Sequence, residues 1–361
     1  MYSPFLKGVI GLFSFCMIRH KGFHLNIKRF VLAACTLLLF SLNSFSQDVH
    51  FSQYYFSPLS LNPANTGNYK GDFRFFGNYR SQWRDISKAF NTFSAGGDAN
   101  FYPSNLNFSG GLIFISDKSG GNLVVNKIMP SFAFHHKLSG FNMSYGVQPG
   151  FVMKSIDFYS HSFPDQLNWN TGRFDNTLPN SETNVVQRSN YFDINAGVVT
   201  SKRFGKFEPE IGFAAFHLNK PKETFVSNNN HLPIRQSYNV ALSYYLNSTI
   251  ILKAYSLYGY TSKVSDWVSG VNAEYILSKN SFFTNSVFAG FMWRSGFKRN
   301  ADAGIATVGM NYSHYTIGFS YDITFSRLKT AVAYKGAFEI ALIYKARNSR
   351  VSKKTIPCER Y

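Results

Sequence analysis

Long apolar runs are absent from this sequence, and their absence excludes a large class of proteins. The longest, residues 8–18 and 30–40, cover 11 residues each and lie before residue 41. A helix that crosses a membrane needs about 20 consecutive apolar residues. The sequence therefore does not encode a helical membrane protein.

Charged residues are also scarce, at 16% of the chain. Aromatic residues are abundant instead: they make up 18% of the chain and include 38 Phe and 22 Tyr. A disordered chain would be poor in such residues. Together with a mean hydropathy of -0.15, this composition indicates alternating apolar and polar positions, which are typical of a transmembrane β-barrel.

The N-terminal region has the layout of an export signal. Lys28 and Arg29 precede the apolar run 30–40, and small residues follow at 41–46. This order predicts a secretory signal peptide over residues 1–46. No capping residue flanks the apolar run, which argues against the alternative of a buried core helix.

The predicted leader changes the start, the cysteines and the charge of the chain. Met17 is an alternative start, because the residues before Lys28 outnumber those of an ordinary basic region. Cys16 and Cys35 would be removed with the leader, so Cys358 would have no partner for an internal disulfide. The mature chain would keep 32 basic and 19 acidic residues, a net charge of +13.

The basic residues are scattered, apart from a group in the C-terminal tail at 346–361. Nucleic-acid binding usually requires a basic patch or stripe, so we expect no nucleic-acid partner. A basic tail on an exported protein is better suited to anionic lipid head groups or to an acidic partner.

From residue 72 onward the hydrophobic pattern has a period of two. Tyr315, Ile317 and Phe319 alternate with Thr316 and Gly318, and such alternation points successive side chains to opposite faces of a strand. The pattern predicts fourteen strands, near 72–82, 91–102, 106–117, 124–138, 141–156, 191–204, 207–218, 236–246, 250–260, 267–277, 282–295, 303–312, 315–325 and 336–344. Most are long enough to cross a bilayer when tilted. The expected fold class is all-β, a transmembrane antiparallel β-barrel over residues 71–345.

The connections between the predicted strands also fit a bacterial barrel. Short turns follow the even-numbered strands, at 103–105, 139–140, 205–206, 247–248, 278–280 and 313–314. Longer connections follow the odd-numbered strands. Outer-membrane barrels have short periplasmic turns and long external loops, so this layout predicts that both termini are periplasmic.

No catalytic, cofactor-binding or metal-binding constellation is evident. His135 and His136 are neighbours on a predicted strand and so point to opposite faces, which excludes a joint metal site. We therefore expect neither enzyme activity nor a cofactor. Alternation predicts four carboxylates that line the lumen: Asp98, Glu274, Asp322 and Glu339.

Residues 47–70 differ from both the leader and the barrel. Pro58 and Pro63 forbid a regular helix or a central strand here, and the run from Asn65 to Gly67 favours a turn. Two interpretations follow: a tethered periplasmic lead-in to the first strand, or a docked element inside the barrel mouth.

A set of motifs covers residues 48–83 and the chain end. Its residues are His50, Phe51, Ser52, Gln53, Tyr54, Pro58, Leu59, Asn62, Pro63, Ala64, Gly67, Tyr79, Arg80, Ser81, Gln82, Trp83, Asn91, Thr92 and Cys358. This set resembles the PorP/SprF family, outer-membrane proteins of the type IX secretion system of Bacteroidetes. At the chain end, Glu359 stands where the family has proline, and Tyr361 stands where phenylalanine is commoner.

The resemblance implies a non-enzymatic barrel that works with type IX secretion components. Its implied roles are protein secretion, gliding motility, and the surface attachment of a partner adhesin that carries a type B C-terminal domain. The long loops 157–190 and 219–235 would face this cargo.

Two other functions remain open. The alternative is a passive porin or a hydrophobic-solute channel, because fourteen strands lie between the eight-stranded barrels that side chains fill and the sixteen-stranded porins. A barrel-embedded hydrolase is a third interpretation, but no Ser, His and acid at matching depth can be identified for it.

Overall fold

The computed structural model describes residues 51–83, 89–103, 106–120, 122–157, 164–169, 171–175, 177–178, 187–225, 230–262, 264–279, 284–295, 301–325 and 335–346. The predicted leader at 1–46, the tail beyond residue 346 and Cys358 lie outside these ranges.

Fourteen long strands, β1 to β14, account for most of the described chain. In chain order they are Phe73–Gln82, Phe90–Phe101, Asn107–Ser119, Leu123–Leu138, Phe141–Ile156, Arg188–Ser201, Phe207–Phe216, Arg235–Tyr245, Ile250–Thr261, Val264–Lys279, Thr284–Ser295, Ala301–Tyr312, Tyr315–Thr324 and Lys335–Lys345. The predicted boundaries agree with these to within three residues at every strand end.

Each strand pairs antiparallel with its neighbours in sequence, and β14 pairs with β1 to close the barrel. The closing register puts Arg74 opposite Lys345 and Arg80 opposite Glu339. A closed sheet leaves no unpaired edge, which is a requirement for strands that are surrounded by lipid. The predicted fourteen-stranded antiparallel barrel is confirmed.

The alternation along each strand separates an apolar outside from a polar inside. On β13 the outward Phe319, Tyr321 and Ile323 are exposed, whereas the inward Ser320 and Asp322 are buried. An apolar outer wall and a polar inside are the pattern of barrels that cross a lipid bilayer, and the exposed apolar side chains follow it. The lumen is therefore the polar compartment of the molecule.

The two ends of the barrel differ in their connections. At one end, here called the turn end, two to five residues link β2 to β3, β4 to β5, β6 to β7, β8 to β9, β10 to β11 and β12 to β13. The opposite end, the loop end, carries the long connections after β5 and β7. The prediction that every odd-numbered strand is followed by a longer connection was wrong at three places. Three residues link β3 to β4, two link β9 to β10, and five link β11 to β12, which is no more than at the turn end. At each place at least one of the two strands continues further toward the loop end than its apolar pattern indicated.

The loops contain little regular structure of their own. A two-residue hairpin, Leu167–Asn168 with Arg173–Phe174, lies in the β5–β6 loop. The β7–β8 loop folds toward the lumen: Glu223 pairs with Lys154, and Leu232 packs on inward side chains of the wall. Within the described ranges, no helix is both long and apolar enough to cross a membrane.

A lysine on the outer wall tests this placement in lipid. Val308 is exposed near the middle of β12, and Tyr312 is exposed at the end of the same strand. We expect Val308→Lys to lower the free energy of unfolding by about 2–4 kcal/mol and Tyr312→Lys by about 0–1 kcal/mol, because the cost of a cation is largest at the bilayer midplane. Equilibrium unfolding in phospholipid vesicles measures both. Equal losses would contradict the assignment of this face to lipid.

Candidate functional site

Residues 51–70 lie inside the barrel and are called the plug below. Tyr54–Phe56 and Pro63–Asn65 form 3-10 turns, and Pro58–Leu61 forms a single helical turn. Proline suits the first position of such turns because its missing N–H would be unpaired there anyway. Of the two interpretations of 47–70, the described part therefore fits the docked element and not an external lead-in.

The plug crosses the lumen from the loop end to the turn end. Ser52 contacts Arg80 and Arg294, which lie within two residues of the loop ends of β1 and β11. At the other extremity, Asn68 donates to Glu210, three residues from the turn end of β7. The chain then leaves the lumen and begins β1.

A group of four charged side chains, here called the latch, holds the loop-end part of the plug. The latch consists of Arg80, Arg294, Asp322 and Glu339, all of which are buried. Arg80 bridges the two carboxylates: its Nη1 is 2.5 Å from Glu339 Oε1, and its Nη2 is 3.0 Å from Asp322 Oδ2. Arg294 Nη1 is also 3.0 Å from Asp322 Oδ2. Two cations and two anions thus neutralise one another inside the lumen.

The backbone of the plug completes this network. The N–H groups of Ser52 and Gln53 donate to the two oxygens of Glu339, at 2.6 and 2.9 Å. The Ser52 hydroxyl donates to Asp322 at 2.9 Å and accepts from Arg80 at 2.7 Å. Hydrogen bonds to charged groups are stronger than those between neutral groups. The latch therefore fixes the position of Ser52.

A second charged pair, the anchor, holds the turn-end part of the plug. Arg74 donates two hydrogen bonds to Asp98, at 2.6 and 2.9 Å, and a third to the Asn65 carbonyl at 2.9 Å. The Gly67 N–H donates to Asp98 at 2.7 Å. Gly67 has a φ of 72°, a conformation that favours glycine.

Between the latch and the anchor, neutral polar groups fix the plug. The Asn62 amide donates to two strand carbonyls, those of Val198 and Phe213, at 3.2 and 3.1 Å. Its side-chain oxygen accepts from the Ala64 N–H and so starts the next turn. Gln148 donates to the Leu59 carbonyl at 3.1 Å. The bonds to the Ala64 N–H and the Leu59 carbonyl satisfy backbone groups that a buried irregular segment would otherwise leave unpaired.

Apolar contacts fill the remaining space around the plug. Phe56 and Leu59 pack with inward residues that include Ile113 and Met129. The Tyr55 ring stacks on Tyr255 with centroids 4.7 Å apart.

Tyr54 and Tyr55 place their phenol hydroxyls inside the lumen. Tyr55 accepts a hydrogen bond from Asn272 at 3.2 Å. Among the described residues, the Tyr54 hydroxyl and the Gln53 amide are buried without a hydrogen-bond partner. The loop-end part of the plug is therefore less completely satisfied than its middle.

Inward-facing glycines make room for the plug. A Cβ on Gly146 would collide with the backbone of Pro63 and Ala64, and one on Gly197 would collide with the Asn62 side chain. At Gly318 a Cβ would lie 2.5 Å from the Phe56 ring. The wall is thus shaped to the plug on β5, β6 and β13.

The predicted lumen carboxylates are all inside the barrel. Asp98, Asp322 and Glu339 contact the plug directly. Glu274 lies 2.6 Å from Lys253 and accepts from Ser286, away from the plug. The structure thus confirms that these four carboxylates line the lumen, as the alternation predicted.

The two neighbouring histidines point to opposite faces, as predicted. His135 contacts Ser109 and Ser144 on the inside. His136 stacks between Phe134 and Tyr145 on the outer wall. Within the described part of the chain, no group of three or more His, Cys, Asp or Glu side chains is placed to hold a metal ion.

The motif residues outside the plug have mixed positions. Arg80 belongs to the latch, and Gln82 accepts a hydrogen bond from it at 3.1 Å. Tyr79 points outward and donates to Asn91, while the Trp83 ring packs on Phe90. His50 and Cys358 lie outside the described residues. Most of the motif residues therefore lie in the plug or contact it.

Sequence reasoning did not find Arg74, Arg294 or the inward glycines as plug contacts. Arg74 occupies the same inward-facing set as Arg80, six residues away on β1, so alternation could have indicated it. Arg294 meets Ser52 and Asp322 only through barrel closure and docking of the plug. A single sequence carries no signal for such distant contacts.

The plug does not fill the whole lumen. A cavity of about 660 Å³ remains near the turn end, between the plug and the wall formed by β6 to β11. Charged side chains line it: Lys70, Arg203, Glu208, Glu210, Lys253, Glu274 and Lys279. The open part of the lumen is therefore polar and lies on the side opposite the latch.

Comparisons with known proteins identify one family. The sequence model described as "Type IX secretion system membrane protein PorP/SprF" matches residues 43–344. No curated protein matches the chain.

Similar solved structures are distant in sequence. A deltaS2S3 mutant of the monoaromatic hydrocarbon channel TodX gives a TM-score of 0.48 at 10% identity and covers 79% of this chain and 92% of its own. The Pseudomonas putida toluene transporter TodX gives 0.47 at 8% identity, with 83% and 94% covered. A Pseudomonas aeruginosa FadL homologue gives 0.45 at 10% identity, with 79% and 92% covered. These likenesses are too distant to assign a function.

A matched pair of alanine substitutions tests the fit of the plug. We expect Gly146→Ala to lower the free energy of unfolding by about 1–3 kcal/mol, the usual cost of overpacking, and to expose the plug to protease. Gly110→Ala is the control, because its Cβ would make only an ordinary 3.5 Å contact with the outward Phe101 ring. Unfolding curves and limited proteolysis in detergent measure both effects. Equal behaviour of the two variants would contradict the placement of the plug.

Proposed function

Because the chain belongs to the PorP/SprF family of type IX secretion system membrane proteins, we propose that it is a closed outer-membrane barrel that assists a partner adhesin. The proposed task is secretion or surface attachment of a cargo with a type B C-terminal domain. It is a task of binding and not of catalysis.

One observation carries this proposal: the lumen is occupied by the chain's own plug. The latch, the anchor and the inward glycines all fit the plug closely. A folded or extended cargo has no free path through such a lumen. The partner must then bind surfaces at the ends of the barrel, where the loops and turns are located.

The proposed orientation puts the turn end in the periplasm and the loops outside, as in other bacterial barrels. In this orientation the β5–β6 hairpin faces the cell surface. Its Trp169 is 85% exposed and its Phe174 is 55% exposed. Exposed aromatic side chains away from the lipid-facing wall are characteristic of binding surfaces. This hairpin is our candidate for contact with the adhesin.

Gene deletion followed by complementation tests the cargo role. We expect deletion to abolish surface display of one or more type IX cargo proteins, measured by surface proteomics, and the intact gene to restore it. A double variant, Trp169→Ala with Phe174→Ala, should reduce display at an unchanged barrel level. Thr177→Ala, in the same loop, is the control and should behave like the wild type. Normal display of every cargo in the deletion strain would refute the proposal.

The second candidate function is a passive channel, and the polar cavity at the turn end favours it. Its charged lining would conduct ions if the plug were released. In this case the plug would be a gate.

Conductance in planar bilayers separates the two candidates. We expect the wild type to be silent and Glu339→Ala to give intermittent openings, because the substitution removes one of the two carboxylates that pair with Arg80 and leaves two plug N–H groups without their acceptor. Glu274→Ala is the matched control, since it removes a lumen carboxylate that pairs with Lys253 and not with the plug. A stable open pore in the wild type would favour the channel over the adhesin role.

A further inference from the structure

We propose that the barrel wall contains a lateral gate between β4 and β5, which the plug holds shut from inside. When the plug moves away, the wall opens at mid-height and the lumen connects sideways with the interior of the bilayer. This opening differs from an axial pore, which connects the two ends of the barrel. The inference goes beyond the proposed function and does not depend on it.

The hydrogen-bonded ladder between β4 and β5 is interrupted at its middle. Ile128 pairs with Phe151, and the next pair is Phe132 with Val147, four residues further on both strands. The residues between them, 129–131 and 148–150, are not paired across this ladder, although every residue of both strands is described. The register is the same on both sides of the break, so a β-bulge, which would shift it, is not the cause.

Two opposed prolines cause the break. The register of the flanking pairs puts Pro130 opposite Pro149. On its other side Pro130 remains paired with Leu112 of β3, and Pro149 remains paired with Ile194 of β6. Opposed residues at a hydrogen-bonded position normally exchange two N–H···O bonds, but proline has no N–H. Both bonds are therefore missing, and both proline carbonyls lack their ladder donors.

The break lies at the middle of both strands. Pro130 is seven residues from the loop end of β4 and eight from its turn end, and Pro149 has the same position on β5. In a barrel that crosses a bilayer, no water reaches this depth to replace the missing bonds. The four residue steps from Ile128 to Phe132 span about 13 Å. Over this length, backbone hydrogen bonds do not hold the two strands together.

The outer rim of the break is apolar. Ile128 and Phe132 on β4, and Val147 and Phe151 on β5, are all exposed on the outside of the barrel. Such side chains favour contact with acyl chains over contact with water. An opening between them therefore leads into the bilayer and not into an aqueous compartment.

The plug joins the two strands across the break from inside. On β4, the Ser131 hydroxyl lies 2.6 Å from the Thr66 hydroxyl of the plug. On β5, the Gln148 amide donates to the Leu59 carbonyl of the plug at 3.1 Å. Ser131 and Gln148 are both fully buried and flank the two prolines. One short segment of the plug thus binds both sides of the break.

Apolar packing covers the same place. Met129 belongs to one buried cluster with Phe56 and Leu59 of the plug. A Cβ on Gly150 would lie 2.7 Å from Met129 Cγ, so the Met129 side chain lies over the opposite strand. The plug therefore supplies packing and hydrogen bonds where the ladder supplies none. Without the plug, only contacts between the two strands themselves keep the wall closed here.

Loosening the plug from a distance tests the gate. Asn62→Ala removes hydrogen bonds from the plug to β6, to β7 and to its own Ala64 N–H, and none of these bonds involves β4 or β5. Hydrogen–deuterium exchange of the full chain in phospholipid vesicles, read by mass spectrometry, measures the protection of each strand. We expect the centres of β4 and β5 to exchange about tenfold faster than in the wild type. Thr66→Val, which removes the contact with Ser131, should give the same pattern with a smaller effect.

The centres of β12 and β13 are the internal control. The plug also contacts this part of the wall, at Gly318, but its ladder is unbroken at mid-height. We expect no change of exchange there, because complete backbone pairing protects the strands without the plug. Equal acceleration in both places would mean general loosening of the barrel and would overturn the lateral gate. No acceleration at β4 and β5 in either plug variant would overturn it as well.

Repair of the ladder is the matched control on the wall. Pro130→Val together with Pro149→Val restores both N–H donors, and valine suits a strand. In this background we expect Asn62→Ala to leave the exchange of β4 and β5 at the wild-type rate. Undiminished acceleration in the repaired barrel would show that the prolines do not form the gate.

A disulfide across the break gives a second test that keeps the prolines in place. Ile128→Cys with Phe151→Cys, in an otherwise cysteine-free chain, joins two opposed residues. Their Cα spacing in such a ladder, about 5.5 Å, lies within the range of disulfides. With Asn62→Ala added, we expect fast exchange of β4 and β5 in the reduced protein and wild-type exchange in the oxidised protein. Fast exchange in both states would contradict an opening between these strands.

Discussion

Neutralisation of charge inside the barrel is the constraint on which the rest of the structure depends. The lumen wall carries buried arginines and carboxylates, and a buried charge without a partner costs several kcal/mol. Arg80 meets Glu339 and Asp322, and Arg74 meets Asp98. Two of these pairs, Arg80 with Glu339 and Arg74 with Asp98, are directly opposed across neighbouring strands. The strand register that closes the barrel thus also pairs its charges.

The plug supplies hydrogen-bond donors to the carboxylates of the barrel wall. Each carboxylate of these pairs has acceptor capacity beyond its arginine, and plug N–H or hydroxyl groups occupy part of it. In return, the carboxylates satisfy backbone donors that an irregular buried segment cannot pair within itself. The wall and the plug are therefore each incomplete alone. The motif residues noted in the sequence lie mainly in these two segments, the plug and β1.

The sequence allowed prediction of the barrel because the physical cause of its strands is local. Alternation along β13 follows from the two environments of a strand in lipid, and the tight turns after even-numbered strands follow from the membrane boundary. The same alternation placed Glu274 and Glu339 in the lumen. Connection lengths such as that after β9 were less predictable, since continued alternation cannot be distinguished from a loop when polar residues occupy both faces.

The docking of the plug was not predictable from one sequence. Ser52 lies 287 residues from Glu339 along the chain, and their contact exists only after the barrel has closed. Pro58 and Pro63 allowed no long helix or central strand, although each begins a single turn, Pro58–Leu61 and Pro63–Asn65. They hold no information about the surrounding wall. The inward glycines did not indicate the plug either. In the sequence Gly146 is an ordinary strand residue, and the need for glycine appears only when Pro63 and Ala64 pack against it.

The two ends of the plug are held in different ways, so the attachment of the plug differs between the turn end and the loop end of the barrel. At the turn end the plug continues covalently into β1 and is bound by Arg74 and Asp98. At the loop end, among the described residues, non-covalent contacts hold it, those of the latch and the packing of Tyr54 and Tyr55, and the Gln53 amide is buried there without a partner. Breaking non-covalent contacts at an incompletely satisfied end costs less than moving an end tied to a strand. Any release of the plug therefore begins at the loop end, the side on which the long loops lie.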